Sequence, residues 1–199
     1  MKCILSALLA LTLSVVSAQD YNTSAPFTLK LESDNEDING QYLGACHAGA
    51  AIEQLCLSGT DGTPVNYNTF NLNVTSSSTD FEIGPLVWLL QGSGFNVSSG
   101  LTFTQNLHSN VAVPTFTPSY SYDYVGFDAD NKLFIYSATY DESAFVAGEY
   151  PTGQLTTPEY QWYACYTYTG YYYHALAWVT TGEPINPTCE AVNVTRTFV

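Results

Sequence analysis

Positive charge is nearly absent from this chain. Four Lys and Arg residues stand against 18 Asp and Glu over 199 residues, a formal charge of −14. Nucleic acid and anionic membranes are bound through a cationic face, so both are excluded as partners. Long apolar runs are also missing. Beyond the first 18 residues no segment approaches the roughly 20 apolar residues that span a bilayer, and no membrane association of the mature chain is expected. Catalytic and metal-binding patterns are equally scarce. His47, His108 and His174 are scattered outside any H-x-x-x-H or H-E-x-x-H pattern, and the cysteines form no C-x-x-C pair, so no metal site is expected. There is no G-x-S-x-G elbow to present a serine nucleophile. Two acidic clusters, Asp34 to Asp37 and Asp128 to Asn131, offer hard oxygens for calcium, but neither continues as an EF-hand loop and turn chemistry accounts for them. No residue is nominated as catalytic, and no cofactor is expected. Helical periodicity is lacking throughout.

What is present begins with a leader. Lys2, an apolar stretch from Ile4 to Val16 and the small residues Val16-Ser17-Ala18 predict a signal peptide over residues 1–18, with Gln19 as the mature start. The mature chain then has 199 − 18 = 181 residues, a length suited to one domain, and a charge of 3 − 18 = −15 once Lys2 is lost. The C-terminus carries Arg196 among alternating residues in place of the hydrophobic tail of a lipid-anchor signal. A secreted, extracellular protein, cell-wall associated or free, is expected, and as a monomer. Cys3 departs with the leader, leaving Cys46, Cys56, Cys165 and Cys189 for two disulfides in an oxidising compartment. Short separation favours Cys46 with Cys56 and Cys165 with Cys189. A hairpin centred on Gly49 would set Cys46 opposite Ile52 and leave Cys56 out of reach, so the first pair is expected to require a non-hairpin Ile52 to Leu57. Asn22, Asn73, Asn96 and Asn193 each begin an Asn-x-Ser/Thr acceptor, marking a glycoprotein.

After a polar lead-in over 19–26, residues 27–199 read as a single β-rich domain. Phe27 to Glu32, Gln41 to Cys46, Tyr67 to Val74, Lys132 to Tyr140 and Cys189 to Val199 alternate or run short between Gly, Asn, Asp and Pro punctuation. Ile52 to Leu57 fits a strand or a short helical turn. Leu86 to Leu90, bounded by Gly84-Pro85 and Gly92, predicts a central strand buried on both faces, and Asp141 to Glu159 predicts the longest irregular segment. The expected fold is an all-β, single-domain antiparallel β-sandwich. Three loosely similar aromatic passages, starting at Phe70, Phe127 and Trp162, make a β-trefoil the alternative.

The stretch Tyr160 to Val179, dense in Tyr and Trp, predicts an aromatic hairpin with the three-residue loop Tyr168-Thr169-Gly170. Trp162, Ala164, Tyr166, Tyr172, His174, Leu176 and Trp178 then share the core face, and Arg196 is expected to be partly buried and paired, because it shares parity with Val192, Val194 and Phe198. The opposite face carries Tyr163, Tyr171 and Tyr173, the candidate binding residues, since exposed rings stack on sugars or contact proteins with little entropy loss. Two functional readings follow. One is a non-enzymatic extracellular binding or structural module whose partner is a glycan or an extracellular protein. The other is a glycan- or ester-hydrolysing enzyme with an unmarked acidic site.

The run Ala-Cys-His-Ala-Gly-Ala-Ala-Ile-Glu-Gln-Leu-Cys from Ala45 to Cys56, with Phe127 to Phe134, Trp162 to Cys165, Ala175 to Trp178 and Asn186 to Cys189, resembles a family of fungal secreted domains of unknown function. The resemblance covers nearly the whole mature chain. It implies a fungal source, secretion and both cysteine pairs. Some members of such families are labelled IgE-binding or allergen-like, which describes a host antibody response and implies no native activity, and no catalytic residues come with the resemblance.

Overall fold

The computed structural model describes residues 22–78, 80–119 and 121–199, so the predicted leader over 1–18 and the mature start at Gln19 lie outside the described residues. Strands dominate, and the only helical pieces among the described residues are the single turns Asn66–Asn68 and Glu142–Ala144. No helix there is long and apolar enough to cross a membrane.

Among the described residues sixteen strands form one antiparallel, curled sheet. Its path runs from Leu155–Glu159 through Leu133–Thr139, Tyr124–Asp128, Phe81–Gly92, Phe95–Gln105, Val111–Thr117, Ile52–Leu57, Tyr172–Val179 and Trp162–Tyr168 to Glu190–Ala191. The chain continues into Asn193–Phe198, which pairs along its length with Phe27–Glu32. Phe27 in turn pairs with Phe70, and Phe70–Leu72 pairs with Leu86–Trp88. The hydrogen-bonded path therefore returns to its own middle, so the sheet wraps one core as a β-sandwich-like domain. Its pairing order does not divide into the three equivalent units of a trefoil.

Burial follows the alternation read from the sequence. Phe27, Leu29 and Leu31, with Phe70 and Leu72, point inward alongside Leu86, Trp88, Leu101, Phe116, Trp162 and Leu176. Phe81–Gly92 is central as expected, pairing with Tyr124–Asp128 through its first half and with Phe95–Gly100 through its second. It is buried on both faces only as far as Trp88, because Leu89 is 43% exposed. Gly84 marks a close crossing. A Cβ there would stand 1.9 Å from the Asn73 carbonyl oxygen, a distance no side chain tolerates.

Two expectations need correction. The end of the segment expected to be irregular, Leu155–Glu159, forms a strand on Leu133–Thr139. It lies at the end of the sheet path, where Pro158 leaves no inner ladder broken. Ile52–Leu57 forms a true hairpin with Leu43–Gly49, and Cys46 still bonds to Cys56. The turn falls on Ala50-Ala51 and not at Gly49, and Ala48, an extra residue in the first strand, then sets Cys46 opposite Gln54. Cys56 is then the diagonal neighbour on the same face, with Cα atoms 5.9 Å apart.

Arg196 is the only arginine of the chain. Its strand places it opposite Leu29, facing the core, where it is 9% exposed. There it pairs with Glu82 at 2.7 Å, donates from Nε to Asn131 Oδ1 at 3.0 Å and lies 4.4 Å from the centre of the Phe127 ring. The expected paired, partly buried arginine is what the fold contains. Arg196→Met is expected to cost about 1–3 kcal/mol in a urea melt, less than a fully buried pair would because Glu82 keeps access to water. An unchanged midpoint would mean that the guanidinium gains nothing from its partners.

Candidate binding surface

The aromatic hairpin joins Trp162–Tyr168 to Tyr172–Val179 through Thr169-Gly170-Tyr171, with Gly170 at φ 104°. The loop lies one residue later than expected. Both flanks move together, so pairing shifts by two positions and Trp162 faces Trp178, while the predicted face sets survive.

Both faces are covered in the middle of the hairpin and open elsewhere. On the core face Trp162, Ala164 and Leu176 are buried, and Trp178 packs edge-on against Trp162 at 4.9 Å. On the other face Cys165, Thr167, Ala175, Ala177 and Val179 are buried too, which the sequence reading did not anticipate. The Cys165–Cys189 disulfide and Val111 pack there. Gln54, fully buried, donates to Thr167 Oγ1 at 2.8 Å and accepts from Thr169 Oγ1 at 3.1 Å, which ties the hairpin end to the neighbouring strand.

The three nominated tyrosines separate accordingly. Tyr171 is exposed, and Tyr173, half-buried, stacks parallel to it at 6.1 Å. Tyr171 also meets His47 edge-on at 5.2 Å. Tyr163 lies elsewhere, half-buried against the buried disulfide cluster and on the rim of an open hollow of about 500 Å³ shared with Glu32, Asp34, Tyr160 and Asn193. Tyr160 donates its hydroxyl to Asp128 at 2.8 Å, and burial together with that carboxylate pushes its pKa up to about 12. Asp128 also accepts from the backbone N–H groups of Asp130 and Lys132, so its oxygens serve the turn. Among the described residues no group of three His, Cys, Asp or Glu is placed to hold a metal ion.

A second open aromatic surface is one that the sequence assigned wholly to the core. Tyr166 stacks on His174, its direct partner across the hairpin, at 4.4 Å and 10°, and on Tyr172, its diagonal neighbour, at 5.5 Å and 20°. Tyr172 is 66% exposed and Tyr166 44%. Parity alone put these rings on the core face. The hairpin is longer than the core beneath it, since seven paired residues span about 23 Å, and its last positions overrun the packed layer. Hairpin length set against sheet thickness was the signal available. Beside this stack lies an open hollow of about 410 Å³, walled by Asn35, Asp37, Ile38 and Gln41 of the acidic turn and by Thr188 and Glu190. Burial lowers the pKa of His174, so the imidazole in this wall is predominantly neutral at neutral pH.

Residues 24–198 match the model of a domain of unknown function, DUF7907. The chain belongs to that family. The match agrees with the resemblance as far as a family of unknown function. Neither a comparison with curated proteins nor one with solved structures returned a match.

One acidic group of this DUF7907 chain stands apart from the rest. Glu53, opposite His47 in the small-residue hairpin and Phe116 on its other side, is buried with no hydrogen-bond partner for Oε2 among the described residues. Burial pushes its pKa up from the ordinary 4.5, against an opposing pull from His47. The folded state thus holds this proton more tightly than the unfolded state does. The associated stability is fully present below about 4.5 and is lost as pH rises through the folded-state value. Glu53→Gln is expected to flatten that loss and to raise stability at neutral pH by about 1 kcal/mol. Thermal melts across pH test this, and parallel curves for the two proteins would refute it.

Proposed function

We propose that this DUF7907 chain is a secreted, acidic fungal glycoprotein module that binds glycans non-enzymatically in the extracellular space, at or near a cell wall. The observation that carries the reading is the Tyr172–Tyr166–His174 stack, exposed at the hairpin end and bordered by amide, hydroxyl and carboxylate side chains. Aromatic rings offer the apolar faces of sugars a flat surface at low entropic cost, and nearby polar groups fix their hydroxyls. Tyr171 and Tyr173 stack on the opposite face of the hairpin, with Tyr163 farther along that face, and make a separate, lesser contact.

Two disulfides in a small all-β domain are compatible with an extracellular setting. Asn22, Asn96 and Asn193 are exposed and Asn73 half-buried, so the four glycosylation acceptors lie where a transferase would reach at least three. A glycan on Asn193 would crowd the hollow beside Tyr163 and leave the one beside Tyr166 free. The hydrolase reading has no comparable support, because Glu53, the carboxylate that burial pushes up, lines none of the hollows described.

A polysaccharide pull-down and glycan array on the enzymatically deglycosylated protein tests the proposal. Tyr172→Ala is expected to weaken any glycan found by about fivefold, the equivalent of roughly 1 kcal/mol for one stacking ring, with the fold unchanged. Failure to retain any glycan, or retention that ignores Tyr172→Ala, would refute it.

A further inference from the structure

We propose that the sugar taken at this surface is a cationic one, a hexosamine with a free amino group within an oligosaccharide. The inference rests on the glycan-binding reading above and names its ligand class. Asp37 and Glu190 face the same hollow from two separate segments, with Tyr166 and His174 forming its aromatic wall. None of the residues lining this hollow is Lys or Arg. Each of the three cations left in the mature chain is accounted for elsewhere. Arg196 is held in the core by Glu82, Lys30 lies 6.0 Å over the Tyr42 ring, and Lys132 begins the strand that leaves the Asp128 turn.

The charge of the whole molecule points the same way. At −14 over the full chain, the protein repels uronates, sulfated sugars and phosphorylated glycans before they reach the hollow. A neutral sugar seated against Tyr166 and His174 would lie beside two carboxylates with no counter-charge to offer them. An ammonium group on the ring answers both features at once. The apolar sugar face lies against the Tyr166 wall, the amine between Asp37 and Glu190, and the side-chain amides of Asn35 and Gln41 answer hydroxyls. His174, kept neutral by burial, adds no opposing charge.

The test is calorimetric titration of the intact, disulfide-bonded protein at about pH 6, where most hexosamine amines carry a proton while the carboxylates stay ionised. Probes are β-linked oligomers of equal length built from glucosamine, from N-acetylglucosamine and from glucose, with oligolysine as a charge control. The glucosamine oligomer is expected to bind about tenfold or more tightly than either neutral oligomer. Asp37→Asn and Glu190→Gln should each remove most of that preference by weakening glucosamine binding far more than neutral binding, and Tyr172→Ala should weaken all three sugars alike. Equal affinity for charged and neutral oligomers overturns this inference and leaves the glycan reading standing. Absence of binding to any oligosaccharide overturns both. Oligolysine binding as tight as glucosamine binding, or glucosamine binding indifferent to Tyr172→Ala, reduces the effect to bulk charge attraction and overturns the inference.

Discussion

Trp162→Ala is expected to lower stability by about 3–5 kcal/mol, the range for truncating a fully enclosed aromatic side chain. Trp162 is 1% exposed. Its ring packs between Trp178 and Phe103, and its indole N–H donates to the Leu133 carbonyl at 3.0 Å, so truncation opens a cavity and strands a buried acceptor at the same time. Trp178→Ala should cost less, because its ring is partly open to solvent along the hollow lined by Phe103, Tyr122 and Ile135. Tyr171→Ala should cost less still, since that side chain is 44% exposed at the loop. Urea denaturation of the three variants gives the ordering directly. If Tyr171→Ala proves as damaging as Trp162→Ala, that face of the hairpin end is core, and Tyr171 and Tyr173 offer no binding contact.

Removing the Cys165–Cys189 bridge with a double alanine substitution is expected to cost about 3 kcal/mol from the loop entropy returned to the unfolded chain, for a sequence separation of 24. The true effect should lie above that figure. Cys165 is fully buried among Ala177, Val179 and Val111, and the bridge clamps the segment that covers them. That segment is otherwise held to the sheet by Asn110, which donates to the carbonyls of Thr181 and Glu183 and accepts from the Ile185 N–H, and by Asn186 and Thr188, which bond the backbone carbonyl and N–H of Tyr166. The Cys46–Cys56 bridge closes only 10 residues between strands already paired, and its removal should cost less. Melting both double variants settles the order. The reverse order would show that these hydrogen bonds hold the cover in place without the bridge.

The alternation of residues along each strand was legible because it is local: successive side chains leave opposite sides of the backbone whatever the strand packs against. Hence the core parities of Phe27 to Leu31, of the Trp162 and Leu176 side of the hairpin, and of Arg196 all hold in the fold. The hairpin faces survived an error in the loop because both flanks shifted together, which preserves parity. The short cysteine separations were sound for a similar reason. The objection to Cys46–Cys56 failed because the turn falls on Ala50-Ala51 and not at Gly49, and because a bulge at Ala48, which no residue type there announces, brings both cysteines to one face.

The all-β class, the single run of strands, the acidic surface without a cationic face and the two bridges follow from composition and spacing, which act through nearest neighbours and net charge. What only the tertiary structure decided is which part of each face meets solvent. That depends on where the sheet curls back on itself and where the segments around Asp37 and Glu183 settle, both contacts between residues far apart in the chain. Arg196 meets Glu82 across more than a hundred residues, and the Tyr166 stack is open only because the hairpin extends past the core that buries Trp162. Local periodicity determines that a side chain points toward one side of a sheet. Whether anything lies on that side is determined by long-range closure, and on this closure the candidate surface depends.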